Sequence, residues 1–309
     1  MTVEELLGAY RSRPSVVSLS ARLGQPERVH LHLHGLLGSA DAVVAAAVAR
    51  STEVPMLFVL NDREDASYFL NDLEQLLGQE ALLFFPASYK KSFQLDDPDN
   101  GNILLRAEVL SRINRGSRTL VVTYPEAIAE RVVTKRNLEQ NSIELRVGEK
   151  ISTDFITEFL LHHGFESVDF VAQAGEFSVR GGIVDIYSFA NELPYRVEFF
   201  GDEVESIRTF DPESQLSVQA MHHVMIMPNV QTKLLEESRS SFFEFIPGNT
   251  AVWFRDAGAA LSALETGLSK VKQLVAAEKT YEPEQLDLVF EPAPEQEERW
   301  AKFTTVEFG

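Results

Sequence analysis

The sequence contains no cysteine, so disulfide bonds and cysteine-ligated metal sites are excluded. It also lacks long apolar runs: the longest obvious one covers residues 42–49, well short of the ~20 residues that a membrane-spanning helix needs. The opening residues, MTVEELLGAYRSRP, have no basic segment followed by an apolar one, so no signal peptide is predicted. We therefore expect a cytoplasmic protein without a membrane partner.

Basic residues are scarce relative to acidic ones, with 28 Lys and Arg against 47 Asp and Glu and a net charge of −19. Because nucleic-acid-binding proteins gain much of their affinity by neutralising phosphates, this balance argues against DNA binding by the chain as a whole. A hydrophobic content of 44% over 309 residues is ordinary for a folded protein of one to three domains.

Three regions differ in their hydrophobic pattern. Residues 1–142 alternate continuous apolar runs with helical segments, which predicts a parallel sheet covered on both faces. Residues 143–228 start with a helix and continue with alternating strands, with Gly201 and Asp202 as a hairpin turn. Residues 229–309 return to a strand and a long helix, and end in a Pro- and Glu-rich stretch expected to be partly loop. The predicted fold class is α/β, a RecA-like or P-loop-like parallel sheet with an inserted small α+β domain. The last region is expected to complete the sheet of the first region.

The stretch LHLHGLLGSADA (residues 31–42) has the layout of a nucleotide-binding P-loop, with a strand, a glycine turn and an alanine-rich helix. In the motif G-x-x-x-x-G-K-[ST], the glycines let backbone amides surround the phosphates, the lysine reaches the β- and γ-oxygens, and the hydroxyl holds Mg²⁺. The eight positions here are occupied by Gly35, Leu36, Leu37, Gly38, Ser39, Ala40, Asp41 and Ala42.

The substitutions remove the chemistry of the motif. Ala40 replaces the second glycine, Asp41 the lysine, and Ala42 the hydroxyl residue. A carboxylate facing a polyphosphate at about 4 Å is repelled by ~1 kcal/mol per charge in water and by several times more near a protein interior. The site is predicted to be inactive, and the motif alone leaves open whether it is a degenerate P-loop or a chance match. Asp41 has a structural alternative, because a carboxylate in the first turn of a helix is favoured by roughly 0.3–1 kcal/mol.

A second position bears on this choice. P-loop ATPases carry an Asp-Glu pair after a distant apolar strand, where it holds Mg²⁺ and activates water. The candidate strand here, AVWFRDAG (residues 251–258), has Arg255 and Asp256 at its edge and no glutamate. This pattern favours degeneracy over chance, and Asp256 alternatively fits the N-cap of the following helix.

The histidines have structural and functional interpretations. His30, His32 and His34 alternate along one strand and share a face, which permits a metal site but favours packing of the strand under a helix. His162 and His163 lie at a helix end, where they suit the helix dipole better than a catalytic role. We predict no metal, no cofactor and no catalytic residues.

A cluster in the second region has the composition of an interaction surface. In RVEFF, Arg196, Glu198 and Phe200 share a strand face that is expected to meet solvent, and Arg180 precedes a Gly-Gly break. Arginine and a large aromatic residue together are typical of binding hot spots. The alternative is a surface Arg–Glu pair, with Phe200 packed into a neighbouring element.

The segment GEFSVRGGIVDIYSFANELPYRVEFFGDEVESIRTFDPESQLS (residues 175–217) resembles the insert of the bacterial transcription-repair coupling factor (Mfd) family and, more loosely, the excision-repair protein UvrB. Residues 101–113 and 120–132 are similar to the preceding Mfd segments. The resemblance implies domain 1A for residues 1–142, domain 2 for 143–228 and domain 1B for 229–309.

The resemblance also implies functions for the sites. In the family, domain 2 binds UvrA through two arginines and a phenylalanine, which match Arg180, Arg196 and Phe200. The glycine loop becomes the remnant of an ATP site, kept for its shape. The DNA-clamping hairpin of UvrB falls within residues 86–100, which hold one tyrosine and three acids, so DNA clamping by this chain is not expected.

The resemblance further implies that a longer parent protein binds RNA polymerase and translocates on double-stranded DNA with ATP. Neither function has room in 309 residues, so we expect a fragment. The predicted function is a catalytically inactive UvrB mimic that recruits UvrA to RNA polymerase stalled at lesions. The alternatives are an active UvrB-type ATP-dependent damage loader and a metal enzyme that uses the three strand histidines. An Arg196→Glu change is expected to abolish UvrA binding and leave the melting temperature nearly unchanged, because an exposed charge contributes little stability.

Overall fold

A computed structural model describes residues 2–89, 99–140, 142–189, 191, 193–226, 239–278 and 283–309. Its helices are α1 (Val3–Arg11), α2 (Pro14–Leu23), α3 (Ala40–Ala49), α4 (Arg63–Leu77), α5 (Asn100–Asn114), α6 (Pro125–Ala129), α7 (Lys135–Gln140), α8 (Thr153–His162), α9 (Phe242–Phe245), α10 (Ala257–Glu278), α11 (Pro283–Val289) and α12 (Ala293–Trp300). Its strands are β1 (His30–His32), β2 (Met56–Val59), β3 (Leu82–Phe85), β4 (Leu120–Thr123), β5 (Val132–Val133), β6 (Ile143–Arg146), β7 (Glu166–Ser167), β8 (Glu176–Arg180), β9 (Ile183–Ile186), β10 (Tyr195–Phe200), β11 (Glu203–Phe210), β12 (Ser217–Met221), β13 (His223–Ile226), β14 (Arg239–Ser240), β15 (Ala251–Phe254) and β16 (Thr304–Glu307). Within these residues, each helix is too short or too polar to span a bilayer.

The chain divides into two compact units. Unit 1 consists of Met1–Val132 and Arg239–Gly309, and unit 2 of Val133–Ser238. Unit 1 contains a parallel sheet between helices, and unit 2 a separate small mixed sheet. The predicted fold class, a RecA-like parallel α/β sheet with an inserted small domain, is confirmed.

The sheet of unit 1 has, among the described residues, six strands in the order β1-β16-β15-β2-β4-β3, and its neighbours pair in parallel. The three central strands β15, β2 and β4 are buried at every residue. Strands buried on both faces require uninterrupted apolar sequence, which is the pattern of MLFV, LVVT and AVWF. Because both faces of these strands are apolar and must be covered, the strands lie at the centre of the unit.

Aspartate side chains cap the starts of α4 and α5. The side chain of Asp62, after β2, accepts a hydrogen bond from the Asp65 amide at 2.9 Å and starts α4. Asp99 caps α5 in the same way through the Asn102 amide at 3.0 Å. Each cap satisfies an amide that the first helical turn leaves without a partner, which is worth about 1 kcal/mol.

The first strand differs from its prediction. β1 is an edge strand that pairs with β16, and His30 and His32 on it are exposed. The prediction of a buried strand packed under a helix is therefore wrong. Alternation of apolar and polar residues shows which positions share a face, but not whether another element covers that face.

The Pro- and Glu-rich stretch near the end is more regular than predicted. It contains α11 and α12, which are joined by the segment Phe290–Pro292. Pro292 and Pro294 lie at the start of α12, where proline is tolerated because the first amides of a helix have no intrahelical partner. Here the prolines mark a helix start, whereas the sequence interpretation took them as a sign of loop.

Unit 2 is built on a second sheet, with the order β12-β11-β10-β9-β8-β7 in the described residues. Strands β8 to β12 are antiparallel, as predicted, and β7 joins β8 in parallel. One face packs on α8 through a core that includes Ile156, Leu160, Val184 and Val197. The opposite face carries the polar side chains of β8 to β11.

Candidate functional site

The glycine loop of unit 1 connects β1 to α3. Gly35 and Gly38 adopt positive φ angles of 81° and 57°, a region in which a Cβ atom is strained. α3 begins at Ala40 and buries Ala42, which is 0% exposed. The loop therefore keeps the backbone course that glycines permit, and its helix packs through small side chains where a P-loop has a Mg²⁺-binding hydroxyl.

Asp41 is buried and forms an ion pair with Arg255, which directly follows β15. The two residues are 214 positions apart in the sequence. One Asp41 carboxylate oxygen also accepts a hydrogen bond from the Ala42 amide at 2.6 Å. Asp41, at the position where the P-loop motif has lysine, thus contacts Arg255, because the loop and the end of β15 lie at the same edge of the sheet.

Acidic and aromatic side chains surround Arg255. Its Nε lies 3.7 Å from an oxygen of Asp65, and its guanidinium group lies 4.8 Å from the Phe308 ring centre and 5.7 Å from that of Phe69. Aromatic faces attract cations, so the rings hold the guanidinium in place. With Asp41 and Asp65, the formal charges of the three side chains sum to −1.

Asp256 turns away from this pair. Its Oδ1 accepts a hydrogen bond from the Ala259 amide at 2.8 Å, the geometry of an N-cap for α10. Of the predicted loop residues, the structure brings Asp41 into contact with Arg255, whereas Asp256 serves the helix. This is the structural alternative that the sequence offered for Asp256.

The strand histidines bind neighbours on β16. His30 Nδ1 lies 2.6 Å from Thr305 Oγ1, and His32 Nδ1 lies 2.9 Å from a Glu307 oxygen. The rings of His32 and His34 stack at 5.9 Å. The described residues contain no group of three or more His, Asp or Glu side chains arranged to hold a metal ion. His163, near the end of α8, contacts the Phe159 carbonyl oxygen through Nδ1 at 2.8 Å.

The polar face of unit 2 is organised around Asp185 on β9, which is fully buried. Arg196, its neighbour on β10, donates to it twice, from Nε at 2.7 Å and from Nη2 at 2.8 Å. Arg180 on β8 donates to the same carboxylate. The two arginines that the sequence singled out are therefore joined through one acid, and the hydrogen bond to Asp185 raises the pKa of Arg196 further above its usual value.

Arg196 is less exposed than predicted. Only 16% of its side chain is exposed, because the ring of Phe210 lies 4.4 Å below the guanidinium and Gln215 accepts two hydrogen bonds from it, both at 3.2 Å. The expectation that Arg196 meets solvent is wrong. The expectation that Arg196→Glu leaves the melting temperature nearly unchanged has therefore lost its premise of an exposed charge, since that change places a second carboxylate beside Asp185.

Phe200 meets the prediction of exposure, with 81% of its surface accessible. The alternation along β10 continues to its end, so Phe199 packs into the core and Phe200 points outward. The predicted surface pair of Glu198 with an arginine also exists, but its partner is Arg208.

Arg180 is placed by the β8–β9 hairpin. Gly181 has a φ of 59°, and a Cβ on Gly182 would lie 2.8 Å from the Phe199 carbonyl oxygen, so the Gly-Gly pair lets the hairpin approach β10. The Arg180 side chain is 37% exposed and lies 5.2 Å from the ring of Phe170, which is itself 66% exposed. Arg180 thus lies at the surface in contact with an accessible aromatic ring.

Two residues of this face escaped the sequence analysis. Asp185 lies in the apolar segment IVDIY. An acid between buried neighbours indicates that a cation faces the acid across the sheet, and this signal could have identified Asp185. Phe170 lies in the loop before β8, for which the sequence shows no strand or helix periodicity. Both lie next to Arg180 in the structure.

The fold and these sites define a class: a RecA-like sheet with a glycine loop after its first strand, interrupted by a small domain whose polar face carries two arginines on one buried acid. Residues 143–231 match the family described as the UvrB interaction domain. The predicted resemblance is therefore confirmed for the inserted unit.

The chain is also similar to proteins named transcription-repair-coupling factor. It is 29% identical to the Bacillus subtilis (strain 168) protein, and the match covers 82% of this chain and 21% of the relative. It is 30% identical to the Myxococcus xanthus protein, and that match covers 71% of this chain and 18% of the relative. The Escherichia coli (strain K12) protein is 25% identical over 62% of this chain and 17% of the relative. The chain spans about a fifth of the length of these curated relatives.

Proposed function

We propose that this chain is a catalytically inert UvrB-like module that recruits UvrA in transcription-coupled repair. The observation that carries the proposal is the face of unit 2 on which Arg180 and Phe200 are accessible, in the segment that matches the UvrB interaction domain. Similarity to transcription-repair-coupling factors over most of the chain supports the same role.

The proposed UvrA-binding residues are Arg180, Arg196 and Phe200. Arginine and large aromatic residues dominate the energetics of protein interfaces because they bury large areas and keep directional donors. Phe200 supplies an exposed apolar side chain, and the accessible part of Arg180 supplies a cation. The proposed partner surface therefore combines a carboxylate with an apolar patch.

The proposed inertness rests on the pair of Asp41 and Arg255. An active P-loop presents a lysine to the phosphates, whereas here the helix side of the site is acidic and the only cation of the pair is already bound between two carboxylates. We assign RNA-polymerase binding and ATP-driven movement on double-stranded DNA to parts of the relatives outside the span that this chain matches. Unit 1 then serves as a scaffold.

A binding experiment tests the recruitment. UvrA is immobilised and the full chain is passed over it as wild type, Phe200→Ala and Phe155→Ala. Phe155 is the matched control, since it is 53% exposed on α8, the helix that covers the opposite sheet face. We expect Phe200→Ala to lose about 2 kcal/mol or more of binding, roughly thirtyfold, and Phe155→Ala to bind normally. Equal binding by all three proteins contradicts the assignment.

A titration with Mg-ATP tests the inertness. Calorimetry on the wild-type chain is expected to show no saturable heat at millimolar nucleotide, because the altered loop offers no free cation. Micromolar binding contradicts the proposal and supports the alternative, an active UvrB-type loader.

A further inference from the structure

The Asp185 carboxylate occupies the centre of the polar face of unit 2. In the sheet register it faces Ser178 on one side and Arg196 on the other. Ser178 is itself buried and donates from its hydroxyl to the Asp169 carbonyl oxygen at 3.0 Å. Asp185 is thus enclosed by neighbouring strands, and its two oxygens face the two arginines.

A buried acid in this position is not explained by stability alone. Removing a carboxylate from water is unfavourable, and a buried ion pair is often no more stabilising than apolar residues of the same volume. An Asp that binds two guanidinium groups at once does fix their directions, because Arg196 is held at two atoms and Arg180 at a third. The three side chains together keep a net charge of +1.

The surroundings hold the arginines in the same arrangement. Gln215 has a φ of 60°, unusual for a non-glycine residue, and contacts Arg196 through its carbonyl and side-chain oxygens. The same side chain donates to the Pro212 carbonyl oxygen at 2.8 Å and to that of Val171 at 3.4 Å. Strained residues that persist in folded proteins cluster at binding sites.

We propose that Asp185 is a positioning residue of the UvrA-binding surface, which holds Arg180 and Arg196 in their binding directions before the partner arrives. The inference rests on the proposed function and adds a residue to it. Asp185 does not contact the partner, since it is fully buried. Its effect comes from preorganisation: arginines that are already fixed lose less conformational freedom on binding.

The substitution Asp185→Asn distinguishes this role from a purely electrostatic effect, because the two explanations predict opposite changes in the affinity for UvrA. Removing a negative charge beside the arginines makes the face more cationic and strengthens its attraction for an acidic partner. Loss of positioning weakens binding. We expect Asp185→Asn to bind UvrA about 10- to 100-fold more weakly, mainly through faster dissociation.

Glu198→Gln is the matched control. It removes one negative charge from the same face, but Glu198 pairs with Arg208 and accepts from Ser206 at 2.7 Å. We expect its UvrA affinity to stay within about twofold of the wild type. Arg196→Lys is the second variant, which keeps the charge and cannot form the two-point contact with Asp185. Arg196→Lys is expected to weaken UvrA binding. If Asp185→Asn does not fold, Arg196→Lys is the variant that tests the positioning role.

The measurement is biolayer interferometry with immobilised UvrA and the full chain, on variants whose circular dichroism matches the wild type at the assay temperature. Weaker binding by Asp185→Asn and Arg196→Lys, with Glu198→Gln unchanged, supports the inference. Wild-type affinity or tighter binding in folded Asp185→Asn, or in Arg196→Lys, overturns it while the Phe200→Ala loss still supports UvrA recruitment. Absence of binding by the wild-type chain overturns the proposed function and the inference with it.

Discussion

The pair of Asp41 and Arg255 leads to a quantitative prediction for the stability of unit 1. The change Arg255→Met keeps the length and apolar stem of the side chain and removes its charge, so the Asp41 carboxylate loses its partner while only 8% exposed. Removing one member of a fully buried pair costs about 3–5 kcal/mol. Since 21% of the Arg255 side chain is exposed, water screens part of the effect, and we expect a loss of about 2–3 kcal/mol in the free energy of unfolding.

The matched variants are Asp41→Asn and the double variant Asp41→Asn/Arg255→Met. The side-chain amide introduced by Asp41→Asn keeps an acceptor for the Ala42 backbone amide without the charge, so the double variant is expected to lie within about 1 kcal/mol of the wild type. The coupling free energy in this double-mutant cycle is then about 2 kcal/mol. A pair without an energetic interaction gives single effects that simply add.

The assay follows unit 1 alone. Both tryptophans of the chain, Trp253 on β15 and Trp300 on α12, lie in unit 1, so urea unfolding monitored by tryptophan fluorescence reports its stability without a signal from unit 2. Arg255→Met is expected to lower the melting temperature by about 4–12 °C for a unit of this size. Single-variant losses that add in the double variant, or a loss below about 0.5 kcal/mol in Arg255→Met, refute the reasoning.

Three further outcomes follow from the contacts described above. Arg196→Glu places a second acid beside buried Asp185, so we expect the free energy of unfolding of unit 2 to fall by about 3 kcal/mol or more. Urea unfolding monitored by hydrogen exchange of unit 2 amides measures this loss, and an unchanged free energy of unfolding refutes the burial argument. Asp41→Lys replaces the acidic partner of Arg255 with a second cation, so we expect the free energy of unfolding of unit 1 to fall, measured by urea unfolding; an unchanged value contradicts the ion pair. Burial raises the pKa of Tyr89 to about 12, so the neutral phenol is favoured by folding. This stabilisation is complete below pH 10 and is lost as the pH rises from 10 to 12, so Tyr89→Phe is expected to flatten the fall in stability over that range.

The sequence predicted those features that depend on short spacing. The continuous apolar runs of β2, β4 and β15 identified a parallel sheet, because strands buried on both faces need such runs. The alternation along β10 placed Arg196 and Phe200 on one face. The presence of Asp41 at the position where a P-loop motif has lysine followed from counting along the eight residues that start at Gly35.

The sequence did not predict contacts between residues that lie far apart in the chain. Nothing local indicates that Asp41 binds Arg255, and the sequence offered the helix dipole as the use of Asp41 instead. Alternation correctly placed Arg196 on the polar face, yet the burial of its side chain depends on Phe210 and Gln215, which the pattern does not connect to it. The prediction of a DNA-clamping hairpin within residues 86–100 falls mostly outside the described residues. The three site residues for UvrA stay predictions until binding is measured.

The order of strands in unit 1 has a consequence for how the protein is made. β1 hydrogen-bonds to β16, which lies 275 residues later in the chain, as the contact of His30 with Thr305 shows. A ribosome adding 5–20 residues per second needs about 15–55 s to cover that distance. During this interval β1 has no strand beside it, whereas β2, β3 and β4 already have one another. We therefore expect newborn chains to pass through a stage in which unit 2 is complete and the first sheet still lacks its last two strands, β15 and β16.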